Sequence, residues 1–430
     1  MTAELALKAG RTLGNAHEVV VLGHDPRDNT RLLADAVAMG VRESGGTVHR
    51  LGTVASPAVS TGVRRLDGDI GIAVTAAPDP SEDVGLKLFD NDGSRLSWER
   101  QRHLVHHVNG ATADLASWDD IGDERRWDDA TEHHLDWLCE DRSSFDDTHV
   151  VVDVGGHSVD NVARTLERLG CTVDRLADSK TDRFPRRRVS PDENVCSTLR
   201  RTVAASDADF GVAHDADADR IVAIDELGNV IGGDTLLALF AKHTVETSNG
   251  DCRVAVPLES SRRIEEVVEE AGGEIVRTEM DGTPGSGPAS TTEIVFGGEP
   301  SGVYHWPDES PCPDAALSAI RLARLVDDGQ TLSEQAEHVE AYPLYFDSFS
   351  VDNTAQEMSR ITEEARERFG DVQTDDGVFV DEGEAWFVVR PSRTEGDLRV
   401  TVEGTSMRRA KRLFERVTRL VTADQPTLVV

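Results

Sequence analysis

The clearest candidate site in the sequence contains three aspartates. The stretch "HDADADRI" places Asp215, Asp217 and Asp219 at alternate positions directly after the apolar run "FGVA". Carboxylates at i, i+2 and i+4 converge if the loop curls after a strand, and hard oxygen ligands in that number suit Mg²⁺. Arg220 follows at once and is placed to hold an anion next to the metal. The pattern therefore predicts a magnesium site with an adjacent anion site.

Two other interpretations fit the same stretch. It is compatible with a solvated acidic turn, because Asp and Glu make up 80 of the 430 residues. It also resembles a calcium-binding EF-hand loop in one respect, since Glu226 stands at the twelfth position. That loop requires glycine at its sixth position, where this chain has Arg220, and it requires flanking helices, where strands are expected here.

A second candidate site lies near the end of the chain, in "RPSRTEGDLRV". Here Arg390, Ser392 and Thr394 follow one expected strand and precede another. The guanidinium fork matches phosphate, and hydroxyls and loop amides add short donors. An ordinary polar hairpin turn is the alternative.

Three further segments carry weaker signals. In "GGEPSGVYHW", Glu299 and Ser301 leave one glycine-rich turn and could bind neighbouring sugar hydroxyls, although such a turn needs no ligand. In "GHDPR" and "GLKLF", Arg27 and Lys87 each follow a strand. A single cation after a strand is usually a solvated loop residue, so these two count only in combination with the other sites.

The elements that must position these residues repeat along the chain. Apolar strands alternate with helices in three consecutive blocks, which predicts α/β domains with parallel sheets and a weak internal triplication. The last block differs, with two strands around a loop and a closing helix, and indicates a small α+β domain. The expected domains are residues 1–128, 129–232, 233–340 and 341–430.

Composition narrows the possible partners. The formal net charge is −35, and the acidic residues are spread along the whole chain, which suggests a surface adapted to high salt. Nucleic acid is a poor partner because its phosphates would be repelled. The sequence contains no run of about 18 apolar residues, so we expect no membrane-spanning helix. The opening residues lack the basic-then-apolar order of a signal peptide. Five scattered cysteines without a CxxC pair argue against disulfides or zinc and fit a reducing cytoplasm.

Taken in order, the motifs resemble the α-D-phosphohexomutase superfamily, which includes phosphoglucomutase, phosphomannomutase and phosphoglucosamine mutase. The family's metal loop D-G-D-x-D-R is matched by "DADADR", its sugar loop G-E-x-S-G by residues 298–302, and its phosphate loop R-P-S-G-T-E-P by "RPSRTEG". The segments "GHDPR" and "RFPRRRVSPDENV" also look like family segments. The acidic composition suggests a divergent, haloarchaeal-type member.

The resemblance implies a fold and a reaction. The fold would be three related α/β domains with mixed sheets plus a smaller C-terminal α+β domain, around a central cleft. The reaction would be a phosphoryl shuttle that interconverts a hexose 1-phosphate and 6-phosphate, with Mg²⁺ neutralising charge on the transferred group. The site would use Arg27, Lys87 and Arg220 for catalysis, Glu299 and Ser301 for the sugar, and residues 390–394 for the second phosphate. A homo- or hetero-oligomer is compatible with the sequence.

The family's nucleophile is missing. Its serine loop reads T-A-S-H-N-P, whereas this chain reads "TAAPDP", with Ala77 at the phosphoserine position. A methyl group cannot carry phosphate. The family's opening F-G-T-x-G-x-R segment has no counterpart either, and "SPCPD" replaces the basic segment after the sugar loop.

Three readings follow from that substitution. The first is a mutase with a displaced acceptor at Ser81, Asp79 or Thr75, where Asp79 would form an acyl phosphate. The second is a protein that binds sugar phosphate and Mg²⁺ without turnover, as a sensor or as the partner of an active relative. The third is a non-shuttle reaction such as slow phosphatase chemistry.

Overall fold

The computed structural model describes most of the chain. The described residues are 1–76, 84–110, 114–155, 159–176, 196–278, 294–327, 329–339, 342–374, 377–392 and 396–422. Within these ranges, no helix combines the length and the apolar character that crossing a membrane requires.

The first unit is a five-stranded sheet with strand order β4-β3-β1-β2-β5. Strands β1, β2, β3 and β5 run parallel, and β4 pairs antiparallel with β3. Its elements are α1 (Ala3–Ala16), β1 (Val19–His24), α2 (Asp28–Glu43), β2 (Thr47–Thr53), α3 (Ser56–Arg65), β3 (Ile70–Ala76), β4 (Val84–Asp90), α4 (Trp98–Gly110) and β5 (Glu124–Arg126).

The second and third units are four-stranded sheets with orders β7-β6-β8-β9 and β11-β10-β12-β13. The second unit contains α5 (Ala130–Cys139), β6 (His149–Asp153), α6 (Asn161–Arg168), β7 (Thr172–Leu176), α7 (Ser197–Ala204), β8 (Phe210–His214) and β9 (Ile221–Asp225). The third contains α8 (Gly233–Thr247), β10 (Arg253–Pro257), α9 (Arg262–Glu270), β11 (Glu274–Thr278), β12 (Ile294–Glu299), β13 (Val303–His305), α10 (Ala315–Asp327) and α11 (Leu332–His338).

The fourth unit is an antiparallel sheet with order β14-β17-β16-β15 and two helices. Its elements are β14 (Leu344–Ser350), α12 (Thr354–Phe369), β15 (Val378–Asp381), β16 (Ala385–Pro391), β17 (Asp397–Gly404) and α13 (Met407–Val421). The predicted fold class, three α/β units followed by a smaller α+β unit, is confirmed.

The first three units share one topology, which bears out the triplication expected from element order. In each, three strands run parallel in the order second, first, third, and a fourth strand pairs antiparallel with the third. The central strands are almost purely aliphatic because both of their faces are covered by helices. Val20 and Val21 of β1 and Val150 and Val151 of β6 are fully buried.

The hydrophobic cores do not correspond one to one with the four sheets. The largest core joins the second and third units, through residues such as Val152 of β6, Phe240 of α8 and Leu322 of α10. The fourth unit has a core of its own, which includes Phe387 and Leu413. Apolar packing therefore fixes the second unit to the third, whereas the fourth unit folds around its own centre.

Polar contacts connect the fourth unit to the third. The backbone N–H of Arg262, at the start of α9, donates to Oε1 of Glu403 at 2.9 Å. Its guanidinium pairs with Asp381 at 2.5 Å and donates to the carbonyl of Gly383. This interface is built from charges and hydrogen bonds at the ends of α9 and β15, so it is more polar than the joint between the second and third units.

Each predicted site loop connects two antiparallel partner strands. Residues 77–83 connect β3 to β4, residues 215–220 connect β8 to β9, residues 300–302 connect β12 to β13, and residues 392–396 connect β16 to β17. The first three therefore stand at the same topological position in three repeated units.

Two of these hairpins touch through their backbones. The N–H of Ile221, at the end of the 215–220 loop, donates to the carbonyl of Gly302 at 3.1 Å, and Arg220 forms a β-bridge with Val303. Gly302 has φ of +92°, and a Cβ at this position would stand 2.3 Å from the carbonyl oxygen of Ile221. Glycine is therefore required both by the left-handed conformation and by the close approach.

We predict that Gly302→Ala destabilises the protein by about 2–4 kcal/mol, because left-handed strain and steric overlap add. Gly272→Ala is the matched control, since Gly272 also has positive φ (+89°) but nothing within 4 Å of the added Cβ. Urea unfolding of both variants measures the difference. Equal losses of stability would contradict the close contact between the two hairpins.

Candidate active site

The metal loop curls as its sequence suggested. The carboxylate Oδ1 of Asp215 accepts backbone N–H groups from Asp219 at 3.1 Å and Arg220 at 3.3 Å, which closes the turn on itself. Ala218, between the second and third aspartates, takes the left-handed conformation with φ of +56°. As a result, one oxygen from each of Asp215, Asp217 and Asp219 lies within 4.8 Å of the other two.

The alternatives to a metal loop do not match this geometry. A solvated turn would expose its carboxylates, but Asp215, Asp217 and Asp219 are only 3%, 2% and 1% exposed. An EF-hand loop lies between two helices, whereas this loop lies between β8 and β9. Three buried carboxylates at this spacing require compensating positive charge.

That charge comes from three cations. Lys87 of β4 places Nζ against Oδ2 of Asp217 and 2.7 Å from Oδ2 of Asp219. Arg95, which follows β4, contacts the same Oδ2 of Asp219 through Nη2. The Nε of Arg220 lies 3.6 Å from Asp215 and 3.8 Å from Oδ1 of Asp219. Lys87 and Arg220 are thus brought to the aspartates, although Lys87 lies within β4 and not after a strand as the sequence suggested. Arg95 carried no motif.

Mutual electrostatics perturb the protonation of the cluster. Burial, followed by the charges of Asp219 and Asp217, raises the pKa of Asp215 well above its usual range. Burial acts to raise the pKa of Asp219 too, but Lys87 and Arg95 outweigh it and lower that pKa. Burial acts to lower the pKa values of Lys87 and Arg95, but the aspartates outweigh it and raise both. Both cations therefore stay charged at neutral pH.

The three aspartates fit a divalent cation. Oδ1 of Asp219 is buried and has no hydrogen-bond partner within the part of the chain that the structure describes. An orphaned anionic oxygen in a cluster of hard oxygen donors is the arrangement that Mg²⁺ satisfies. The residues therefore fit the ion that the sequence predicts, with Asp215, Asp217 and Asp219 as its protein ligands.

Ser56, at the start of α3, also reaches the metal loop. Its Oγ donates to Oδ2 of Asp217 at 2.6 Å, and its N–H donates to the Asp217 carbonyl at 3.1 Å. On the opposite side, the N–H of Ala315 donates to the carbonyl of Ala218 at 3.0 Å. The loop is therefore held by the first and the third units at once. Ser56 was missed in the sequence because it lies 161 positions from Asp217.

Arg27 belongs to a neighbouring cluster. Its guanidinium pairs with the buried carboxylate of Asp25, with Nη2 and Oδ2 2.8 Å apart. Asp25 also accepts hydrogen bonds from the hydroxyls of Thr30 at 2.7 Å and Thr75 at 3.1 Å. The structure therefore links Arg27, through Asp25, to the end of β3. The hydroxyl of Thr75, one of the acceptor candidates, donates its hydrogen bond to Asp25.

The sugar and phosphate loops have internal partners. The hydroxyl of Ser301 donates to Oε2 of Glu299 at 2.9 Å, so these two predicted sugar ligands are pre-arranged as a pair. Arg390 is buried and lies 2.7 Å from Glu259 of the third unit. The N–H of Ser392 donates to the carbonyl of Asp397 at 2.7 Å across the loop. Glu259, which follows β10, was not anticipated.

Several predicted positions lie outside the described residues. They are Ala77, Asp79, Ser81 and Thr394, together with the segment "RFPRRRVSPDENV". Their proposed roles stay predictions. So do the roles assigned to the other site residues and the domain limits at 128, 232 and 340.

Family models match four consecutive parts of the chain. Residues 1–114, 129–228 and 232–342 match the phosphoglucomutase/phosphomannomutase α/β/α domains I, II and III, and residues 349–420 match the C-terminal domain of the same family. The chain belongs to the phosphoglucomutase/phosphomannomutase family. The predicted membership of the α-D-phosphohexomutase superfamily is confirmed, as is the prediction of a phosphomutase-type enzyme.

Individual members of this family resemble the chain over nearly its whole length. A probable phosphoglucosamine mutase of Methanopyrus kandleri is 35% identical over 428 residues, covering 98% of this chain and 94% of the relative. A phosphoglucomutase/phosphomannomutase family protein of Burkholderia thailandensis has the same fold, with a TM-score of 0.86 at 22% identity, covering 99% and 94% of the two chains.

N-acetylphosphoglucosamine mutase of Aspergillus fumigatus is a more distant match in fold. Its complex with GlcNAc-6P and magnesium has a TM-score of 0.56 at 15% identity, covering 86% of this chain and 93% of the other. A serine-to-alanine variant of that enzyme has been solved with glucose 1,6-bisphosphate.

We predict that Asp217→Ala reduces Mg²⁺ affinity by more than about 100-fold, since loss of a ligand should exceed the 10–100-fold typical of outer-shell changes. Calorimetric titration with MgCl₂ measures the loss, and circular dichroism tests whether the fold is retained. Asp207→Ala is the matched control because Asp207 is an exposed carboxylate just before β8. Unchanged Mg²⁺ binding in Asp217→Ala would refute the metal assignment.

Proposed function

We propose that this family member interconverts the 1-phosphate and 6-phosphate of a hexose, using Mg²⁺. The observation that carries the proposal is the buried cluster of Asp215, Asp217 and Asp219, compensated by Lys87 and Arg95 of a different unit. An ordinary structural ion pair would not need three carboxylates within 4.8 Å of one another. Phosphoryl transfer needs such a site, because its catalysis is chiefly positioning and charge neutralisation.

The roles of the side chains follow from their positions. When bound to the three aspartates, Mg²⁺ would neutralise charge on the transferred phosphoryl group. Lys87 and Arg220 stand beside the aspartates and offer N–H donors to the phosphoryl oxygens. Glu299 and Ser301 present an acceptor and a hydroxyl to the sugar, because they leave the hairpin that touches the metal loop.

The second phosphate is assigned to the fourth unit. Arg390, Ser392 and Thr394 come from the β16–β17 hairpin, and guanidinium and hydroxyl donors suit a phosphate dianion. In this structure the carboxylate of Glu259 lies against Arg390. A phosphate arriving at Arg390 would compete with that carboxylate, so its binding should loosen the contact between the third and fourth units.

The phosphoryl acceptor must differ from that of the family pattern, since Ala77 has no nucleophilic atom. We assign the role to Ser81 or Asp79, which follow in the same β3–β4 loop. Attack by the Ser81 hydroxyl would give a stable phosphoester, whereas attack by the Asp79 carboxylate would give a labile acyl phosphate. In both cases the sugar oxygen leaves as the new P–O bond forms.

We propose glucosamine phosphate as the first substrate to test. The support is the name of the Methanopyrus kandleri relative, which is 35% identical across almost the whole chain. The five cysteines are free thiols, four of them buried, which fits a reducing cytoplasm as the site of action. The net charge of −35 supports assays at high salt.

A second candidate is a protein that binds sugar phosphate and Mg²⁺ without turnover. The observation in its favour is Ala77 itself. The Aspergillus fumigatus enzyme has been solved with a bisphosphate as a serine-to-alanine variant, so such a change is compatible with ligand binding in that protein. In this case the metal and phosphate loops would serve recognition alone.

We predict that Arg390→Ala weakens binding of glucosamine 6-phosphate about ten-fold or more, because a charged hydrogen bond contributes about 1.5–3 kcal/mol. Calorimetry with Mg²⁺ present measures the affinity. Arg409→Ala is the matched control, since Arg409 is an exposed arginine of the same unit that pairs with Glu384. Equal affinities for all three proteins would rule out the phosphate role of Arg390.

The decisive experiment is a mutase assay in molar KCl with Mg²⁺, combined with intact-mass analysis. Each sugar 1-phosphate is supplied with a trace of the matching 1,6-bisphosphate. We expect turnover, and a mass increase of about 80 Da if the acceptor is Ser81, since one phosphoryl group is added. Ser81→Ala and Asp79→Asn then identify the acceptor by which one abolishes turnover. Binding without turnover on any sugar would favour the second candidate.

A further inference from the structure

We propose that Arg95 is a phosphoryl-binding residue that pairs with the Asp219 carboxylate at rest and transfers to the phosphoryl group when Mg²⁺ and substrate bind together. This inference rests on the proposed use of the site for Mg²⁺ and a phosphate ester. No sequence motif marks Arg95, which lies in "DGSRLS" between β4 and α4. The observation behind it is the contact of its Nη2 with Oδ2 of Asp219.

The backbone around Arg95 is firmly placed. The chain turns after β4 through hydrogen bonds from Asp90 N–H to the Ser94 carbonyl at 2.8 Å, and from Gly93 N–H to the Asp90 carbonyl at 2.9 Å. Arg95 then bridges to Phe89, and the Leu96 N–H donates to the Leu88 carbonyl at 2.9 Å. A short hairpin therefore points the Arg95 side chain at the metal loop of the second unit.

Two cations share one oxygen of Asp219. Lys87 and Arg95 both contact Oδ2, but Lys87 also contacts Oδ2 of Asp217. Asp219 is the only ion-pair partner of Arg95 among the described residues. A divalent cation bound by the Asp219 carboxylate would repel both side-chain cations and weaken their hold on Oδ2, and Arg95 has the less extensive attachment. Its side chain is 27% exposed, so it has room to move.

The charge balance indicates what Arg95 binds after displacement. With all three aspartates counted as ionised, as a bound metal requires, they face the three cations Lys87, Arg95 and Arg220, and the net charge is zero. Adding Mg²⁺ leaves two surplus positive charges in a buried site. A phosphoryl dianion restores neutrality, and a guanidinium offers it two parallel N–H donors. Arg95 also lies near enough to be affected by the charge of Glu299 in the sugar hairpin.

Unlike a purely structural ion pair, Arg95 should couple the binding of Mg²⁺ to that of phosphate. Arg95 opposes Mg²⁺ binding when no phosphate is present, and supports phosphate binding once Mg²⁺ is present. Mg²⁺ and phosphate should therefore bind with positive coupling, and removal of Arg95 should change the two affinities in opposite directions.

The test is calorimetric titration of the full chain with MgCl₂, with and without inorganic phosphate. The variants are Arg95→Gln, which removes the charge, and Arg95→Lys, which keeps it. Arg100→Gln is the matched control because Arg100 is a half-exposed arginine of α4 whose ion-pair partner among the described residues is Asp90 and not a metal-loop aspartate. Runs at about 0.2 M and about 2 M KCl separate buried from exposed electrostatics, since salt screens exposed pairs more strongly.

Without phosphate, we expect Arg95→Gln to bind Mg²⁺ about five-fold more tightly than wild type. In wild type, phosphate should strengthen Mg²⁺ binding by about five-fold or more, as is typical of linked sites, and Arg95→Gln should lose most of this coupling. Arg95→Lys should retain part of the coupling, and Arg100→Gln should match wild type. Mg²⁺ affinity that is unchanged or weaker in Arg95→Gln, with the coupling intact, would overturn the proposal for Arg95 alone. A wild-type protein that binds no Mg²⁺ would overturn both this inference and the proposed function.

Loss of the fold in Arg95→Gln, detected by circular dichroism, would leave Arg95→Lys as the deciding variant. Its shorter cation should then show reduced coupling, and wild-type coupling would contradict the proposal. The mutase assay is a separate readout. Failure of turnover with intact coupling would refute the shuttle and retain the role of Arg95 in binding.

Discussion

The structure is organised around the burial of three like charges. Asp215, Asp217 and Asp219 are almost wholly removed from water within one short loop. Such a loop is unfavourable on its own, because buried charges need partners. The partners come from elsewhere, since Lys87 and Arg95 belong to the first unit. The same buried charge that would destabilise the second unit alone therefore helps to hold the first and second units together.

The remaining joints differ in their physical character. The second and third units share one hydrophobic core, so they form a single packed body. The fourth unit has its own core and meets the third through Arg262, Glu403 and Asp381. Polar interfaces of this kind permit relative motion more readily than shared cores do. Among the described units, the fourth is therefore the one whose joint with its neighbour favours relative motion.

Much of the fold and part of the site could be read from the sequence. Aliphatic strands such as "VVVL", followed by helical stretches, gave the α/β units, and the alternating aspartates gave the converging carboxylates. Arg95, Ser56 and Glu259 could not be found this way. Each acts on a residue more than 120 positions away, on Asp219, Asp217 and Arg390 respectively. Local patterns carry no information about which surfaces of separate units meet, so a lone arginine in a turn looks like any solvated residue.

Because the site loops lie between paired strands, the sequence of a loop can change without changing the sheet that carries it. Each predicted site loop connects two strands that are hydrogen-bonded to each other, so the strand register is set outside the loop. Residues of a loop that make no contact with another loop can therefore change while the sheet beneath stays as it was. A lineage built on this frame can lose a nucleophile, relocate it or keep only recognition, and in each case it retains a foldable protein on which selection can act again.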